Sequence, residues 1–305
     1  MSLCMFLGQV TLSEAKEKEP SEERGNHYHT IDYKVSESKT KNAQFRSRDV
    51  LPESYDARAE NYVTDVKDQN PFGSCWTFSA MSTAETSVLK NDLTSDKKGV
   101  DLSELQLAYF FYHRENDPLE NTEGDQDRVV GQYEGKSDDY LENGGNNWMT
   151  AMSLSQWPGP VDENKATYVN DLVNYPKSLN AELNYLHTEY AMKDAVFLPE
   201  RDIKGIKQAI IKNGSVSASY EATSDSYNKQ YFYTGSDKSN HSITIVGYDD
   251  RISRELFGEK KPESDGAWIL KNSWGTGSGN GGYFYLSYEQ PLNSAVAYDY
   301  MAADT

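Results

Sequence analysis

The chain has 305 residues, 30 Lys+Arg against 48 Asp+Glu for a net charge of −18, and two cysteines. That length suffices for one large domain or two packed lobes, and a hydrophobic content of 37% with 22 Tyr, 10 Phe and 5 Trp can build a core. The acidity argues against a nucleic-acid partner, because phosphates would be repelled. No apolar run approaches the roughly 20 residues of a membrane helix, and two cysteines cannot form a disulfide framework.

Residues 1–10 (MSLCMFLGQV) are weakly apolar, lack a basic start and break at Gln9, so they make a poor signal peptide; Cys4 is expected to have no catalytic part. Residues 1–49 hold eight Lys+Arg and eight Asp+Glu, so the entire excess of −18 belongs to residues 50–305 and a boundary is expected between them. The leader reads either as a tail or as a short propeptide crossing the functional cleft. From Leu51 the composition becomes globular.

Trp76, Phe78, Met81, Ala84, Val88 and Leu89 fall close to helical spacing and predict a helix over 75–90. A second is expected over 101–110, with Ser103 or Asp101 at its start. Residues 115–140 carry nine Asp/Glu against Arg128 and Lys136 and read as an exposed acidic insertion. A third helix is expected over 147–157, ended by Pro158-Gly159-Pro160. Residues 161–200 read as mixed loop and short helix, and 203–213 as a helix stopped at Gly214. Val216–Tyr220, Ser242–Tyr248, Ala267–Asn272 and Tyr283–Tyr288 are β-branched or aromatic runs bounded by Gly, Asp and Asn, and predict strands. A helical first half and a β second half predict an α+β fold of two lobes, with the chemistry in the crevice between them.

Cys75 lies in Gln69-Asn70-Pro71-Phe72-Gly73-Ser74-Cys75-Trp76. Gly73 and Ser74 permit a tight turn, Ser74 is a good helix N-cap, and Cys75 would sit in the first helical turn. The positive end of a helix lowers a thiol's pKa. A thiol nucleophile also needs a base, an orienter and an oxyanion hole. Of five histidines, His27 and His29 lie in the leader and His113 and His187 on expected helix surfaces; only His241 opens an apolar strand. Asn272 can orient its ring, Trp274 can shield that bond from water, and Gln69 with the Cys75 N–H can hold an oxyanion. Glu123 and Asp125 fit no EF-hand spacing, and Cys and His are not clustered, so no metal and no cofactor are expected.

The nucleophile segment, Leu102-Ser103-Glu104, Asn143-Gly144-Gly145, the Asn240-His241 strand and the Asn272–Tyr283 stretch together resemble the papain family of cysteine peptidases over about residues 51–290. The resemblance is closest to bacterial surface and secreted members such as those of clostridia. It implies a papain-like domain over 50–305, with a helical lobe at about 60–160 and a β lobe at about 190–305. It implies a Cys75-His241-Asn272 endopeptidase with Gln69 at the oxyanion, acting on proteins or peptides as a monomer, outside the cell or at its surface. Gly144 and Gly145 would pair with substrate backbone, Ser242 and the Ala218-Ser219 strand end would border the main specificity pocket, and Trp274 would also bind substrate. An inactive binding module and a thiol acyltransferase are the alternatives. Three departures stand out. Phe72 and Glu142 replace both halves of a family disulfide. Ser278 replaces a second tryptophan. His241 and Asn272 lie 166 and 197 residues beyond Cys75, against roughly 130–150 in the family.

Overall fold

The computed structural model describes residues 50–113, 139–155, 159–184 and 188–303. The leader over 1–49, most of the acidic insertion, and Glu123 with Asp125 lie outside the described residues. Among those described, the order is β1 (Ser54–Asp56), α1 (Cys75–Lys90), α2 (Glu104–Tyr112), α3 (Asn147–Leu154), β2 (Tyr190–Phe197), α4 (Ile203–Asn213), β3 (Val216–Tyr220), β4 (Tyr231–Phe232), β5 (His241–Asp249), β6 (Ala267–Lys271), β7 (Tyr283–Ser287) and β8 (Ser294–Ala302).

α1 is buried along its whole length from Cys75 to Leu89. Its many small residues allow this, and two of its hydroxyls bond within the helix: Thr83 Oγ1 donates to Ser79 O and Thr86 Oγ1 to Ser82 O, both at 2.8 Å. α2 starts on Ser103, whose hydroxyl accepts from Gln106 N at 3.0 Å. α4 starts on Asp202, which accepts from Gly205 N at 2.9 Å, and stops at Gly214 with φ of 90°. α3 ends at Leu154, short of the expected 157.

The strands form one sheet in the order β2-β8-β3-β5-β6-β7-β4, with β1 paired to β5; all pairs are antiparallel except β4–β7. The four expected strands are present. β1, β2, β4 and β8 were not expected, and β2 corrects the reading of 161–200 as loop and short helix. β8 separates two cores through its alternation. Val296, Tyr298 and Tyr300 pack with α1, α2 and α3, whereas Ala295 and Ala297 pack with Ile206 and Ile210 of α4 and Ile243 of β5. The fold is the α+β, two-lobe class expected, with α4 covering the outer face of the β half. The seam between the cores runs past the start of α1 and the starts of β5 and α3.

Candidate active site

Cys75 is the first residue of α1, and Ser74 occupies the N-cap position. The expected side-chain cap is absent. Ser74 has φ −96° and ψ 20°, not the extended backbone that aims a hydroxyl back at the helix, and its Oγ lies 2.7 Å from Tyr168 Oη instead. The first-turn N–H groups are left uncapped by that hydroxyl, and the positive end of the helix lies at Cys75. The Ser242 backbone N–H donates to Cys75 Sγ at 3.4 Å. Ser242 follows His241, so the thiol lies against the peptide that carries the histidine.

His241 opens β5 and is fully buried. Its Nε2 lies 2.8 Å from Asn272 Oδ1, which also accepts from Ser273 N at 2.8 Å. Two contacts at one amide atom, one of them from a backbone donor, identify that atom as the oxygen. Nε2 therefore carries the hydrogen, and in the neutral ring Nδ1 holds the lone pair. Trp274 stacks on the imidazole with centroids 4.5 Å apart and 25° between planes, and Tyr227 stacks on Trp274 at 6.1 Å. Burial pushes His241 down to about 4, with the Asn272 bond acting in the opposite direction. A charged ring here needs an anion beside it.

Gln69 is 2% exposed and is held at both ends of its amide. Its Nε2 donates to Phe72 O at 2.8 Å, and its Oε1 accepts from Ser273 Oγ at 2.7 Å. Its backbone N–H donates to Ser273 O at 2.8 Å. The loop that presents the thiol is thus tied to the segment that presents Asn272. Tyr168 clamps the same loop: its Oη donates to Gln69 O at 2.8 Å, and its ring meets Phe78 and Phe72 edge-on at 4.8 and 6.1 Å. Phe72 is 1% exposed and also packs on Tyr175 at 5.1 Å. Aromatic packing thus fills the position of the missing cysteine.

Gly144 has φ of 74°, a conformation that favours glycine. A Cβ on Gly145 would lie 2.2 Å from the Trp76 indole. The Gly-Gly backbone therefore rests on the ring next to Cys75. Cys75, Gln69, His241, Ser242, Asn272 and Trp274 form one contact network, which Gly144 and Gly145 join through Trp76. Sequence reasoning missed Tyr168, Ser273 and Tyr227. Ser273 had a signal in its place between Asn272 and Trp274; Tyr168 had none, lying 94 residues beyond Ser74. Among the described residues no group of three or more His, Cys, Asp or Glu is arranged to hold a metal ion, and no helix is long and apolar enough to cross a membrane.

A family model described as papain family cysteine protease matches residues 51–110 and 137–303. Cathepsin K of Mus musculus is 28% identical over 262 residues, which cover 83% of this chain and 64% of that protein. The solved structure of the cysteine protease and lectin-like domains of Cwp84, a surface layer associated protein of Clostridium difficile, is similar with a TM-score of 0.66 and 26% identity. It covers 83% of this chain and 53% of that one. The bromelain protease of Ananas comosus shares the fold with a TM-score of 0.53 and 19% identity, over 82% of this chain and 99% of its own. The chain spans less than two thirds of the length of the curated relatives it matches.

Proposed function

The chain belongs to the papain family of cysteine proteases, and from that premise we propose that it hydrolyses peptide bonds through Cys75, His241, Asn272 and Gln69. The observation that carries this reading is the thiol of Cys75 at the start of α1, bonded to the amide of Ser242, the residue after His241, whose ring is held by Asn272 at 2.8 Å.

A proton passes from Cys75 to His241 Nδ1, giving a thiolate and an imidazolium that are neutral as a pair, which suits a buried position. The thiolate sulfur attacks the peptide carbonyl carbon, and the C=O electron pair moves onto oxygen. The second N–H of Gln69 Nε2 and the Cys75 backbone N–H serve as donors to that oxyanion. The carbon–nitrogen bond then breaks, and His241 gives its proton to the departing amine. Water, deprotonated by His241, attacks the thioester, and the carbon–sulfur bond breaks to return the thiolate. Asn272 orients the ring and does not titrate. Gly144 and Gly145 would pair with the substrate backbone, with Ser242 next to the bound chain. Trp274 acts through the ring it covers, which refines its expected place along the substrate. By analogy with the surface-associated Cwp84, we place the protein outside the cell or at its surface, acting on protein or peptide substrates as a monomer.

The test is incubation with a thiol-directed epoxide and, separately, with a denatured protein mixture under reducing conditions, followed by mass mapping. The expected result is a single adduct on Cys75, lost in His241→Ala, together with new peptide termini. An epoxide that reacts with Cys75 no faster than with Cys4, or fragments still produced by Cys75→Ala, would overturn the assignment. Transfer of the acyl group to an added amine in preference to water would favour an acyltransferase. Replacing Gln69 with alanine is expected to lower kcat about a hundredfold, as for other oxyanion-hole donors, with KM little changed. A fall in affinity at constant kcat would place Gln69 in ground-state binding instead.

A further inference from the structure

The two groups assigned to the oxyanion sit on different pieces of backbone. Gln69 lies in the loop before α1, and the Cys75 N–H belongs to the peptide that joins Ser74 to the helix. One side-chain oxygen bridges the two pieces. Tyr168 Oη lies 2.8 Å from Gln69 O and 2.7 Å from Ser74 Oγ. A carbonyl oxygen only accepts, so the single phenol proton goes to Gln69 O and the Ser74 hydroxyl donates to Tyr168 Oη. The result is a directed chain from the Ser74 hydroxyl through the Tyr168 hydroxyl to the Gln69 carbonyl, in which each bond polarises the next. Gln69 O also accepts from Phe72 N at 3.0 Å, so both its lone pairs are used. Burial holds the Tyr168 hydroxyl well above the usual phenol range, and it keeps its proton. The phenol is itself held: its ring meets Phe78 and Phe72 edge-on, and Tyr168 N donates to Glu163 Oε1 at 2.6 Å. Two residues further on, Asn170 Nδ2 donates to Asp68 O at 2.7 Å and to Asn70 O. The carbonyls of Asp68, Gln69 and Asn70 are therefore all gripped by the side chains of one short segment.

We propose that Tyr168 is a positioning residue for peptide hydrolysis: its hydroxyl fixes the spacing between the Gln69 carboxamide and the Cys75 N–H, so that both donors meet the oxyanion together. The inference rests on the peptidase reading above. An oxyanion donor is effective when it already points to where the charge develops, and a misplacement of about 1 Å can cost on the order of a hundredfold in rate. The bonds of Gln69 to Phe72 O and Ser273 Oγ set its carboxamide within its own loop and against the Asn272 segment. The Tyr168 bridge sets that loop against the Ser74–Cys75 peptide. The hydroxyl thus acts on the donors and not on the proton transfer from Cys75 to His241.

Tyr168→Phe removes the hydroxyl and keeps the ring. On a synthetic peptide spanning a bond mapped in the digestion above, kcat should fall on the order of tenfold with KM within about twofold. Alkylation of Cys75 by iodoacetamide, in which the thiolate displaces iodide and no oxyanion forms, should keep its rate and its pH dependence. Ser74→Ala cuts the same bridge from its other end. It should lower kcat in the same direction, and the double variant should fall no further than Tyr168→Phe, to within about twofold. A folded Tyr168→Phe with kcat within about twofold of wild type overturns the inference. An equal fall in alkylation also overturns it, because the hydroxyl then serves the nucleophile or the fold. Effects that add in the double variant overturn it too. Should Tyr168→Phe not fold, Ser74→Ala decides by the same two rates: slower cleavage at unchanged alkylation supports the bridge, and unchanged cleavage overturns it. A wild-type chain alkylated at Cys75 that cleaves no peptide overturns the peptidase reading and this inference with it.

Discussion

Replacing Cys75 with alanine is expected to remove peptide hydrolysis, by a factor on the order of 10⁴ to 10⁶ in kcat, as when other nucleophile–base units lose one member. The remaining donors, Gln69 and the backbone N–H groups of α1, can still hold a polarised carbonyl, so substrate binding should persist. A second expected effect separates loss of chemistry from loss of fold. Burial, opposed by the Asn272 bond, leaves the His241 ring at about 4, and the proposed mechanism holds it charged at neutral pH only because the sulfur beside it becomes an anion. In Cys75→Ala that anion is gone. The ring should then stay neutral until about pH 4 and show one titration there by NMR, whereas in the wild type its protonated form should persist well above pH 6. An unchanged ring titration after the substitution would show that the sulfur and the imidazole are electrostatically independent, and the thiolate mechanism would fail with it.

The parts of the site legible in the sequence are those specified locally. Gln69, Gly73, Cys75 and Trp76 sit within one turn and one helix start, and His241 and Asn272 each begin or end an apolar run that could only be a strand. Gly144 and Gly145 were reached only through the family resemblance, and the positive φ of Gly144, 74°, is a feature of the structure. What escaped is set by partners distant in the chain. β8, Ser294–Ala302, carries Asp299 among small and aromatic residues and shows no polar–apolar alternation in its sequence, yet its alternate side chains enter the two cores. β2 is an edge strand paired only with β8, so it tolerates Lys193 and Asp194 mid-strand. The Ser74 cap failed because Tyr168, far along the chain, takes the hydroxyl. α1 was legible from its helical spacing, but not that its small residues let neighbours bury every face. Tyr227 restores part of the shielding that Ser278 gives up, by stacking on Trp274.

Replacing Lys67 with methionine is expected to destabilise the fold by about 3 kcal/mol, the cost of leaving buried carboxylates without their cation. The lower end of that range applies because the Lys67 side chain keeps 23% of its exposure. Its ammonium donates to Glu85 Oε1 at 3.0 Å, Glu104 Oε1 at 2.8 Å and Leu102 O at 2.9 Å, and pairs with Asp101 at 2.6 Å. Glu85 and Glu104 are essentially unexposed. The two carboxyls are not equivalent. Burial alone would raise Glu85, but Lys67, Lys271, the Leu102 N–H and Thr64 together hold it below its ordinary range. Burial pushes Glu104 up to about 8 against the pull of Lys67, and its Oε2 has no hydrogen bond among the described residues. The folded chain therefore retains a proton on Glu104 that the unfolded chain, with an ordinary value of 4.5, releases. Stability from this proton is complete below about 4.5 and fades as pH rises through about 8. Removing the ammonium lifts the folded values of both carboxyls further, so the loss caused by Lys67→Met should grow between pH 6 and pH 9. Urea unfolding at the two pH values measures it, and a loss below about 1 kcal/mol at both would mean that solvent screens the cluster. Lys67 lies two residues before Gln69, and Lys271, whose Nζ donates to Thr64 Oγ1 at 2.9 Å, lies one residue before Asn272. The same cations that neutralise the buried carboxyls thus anchor the two segments that carry the proposed oxyanion donor and the proposed ring orienter.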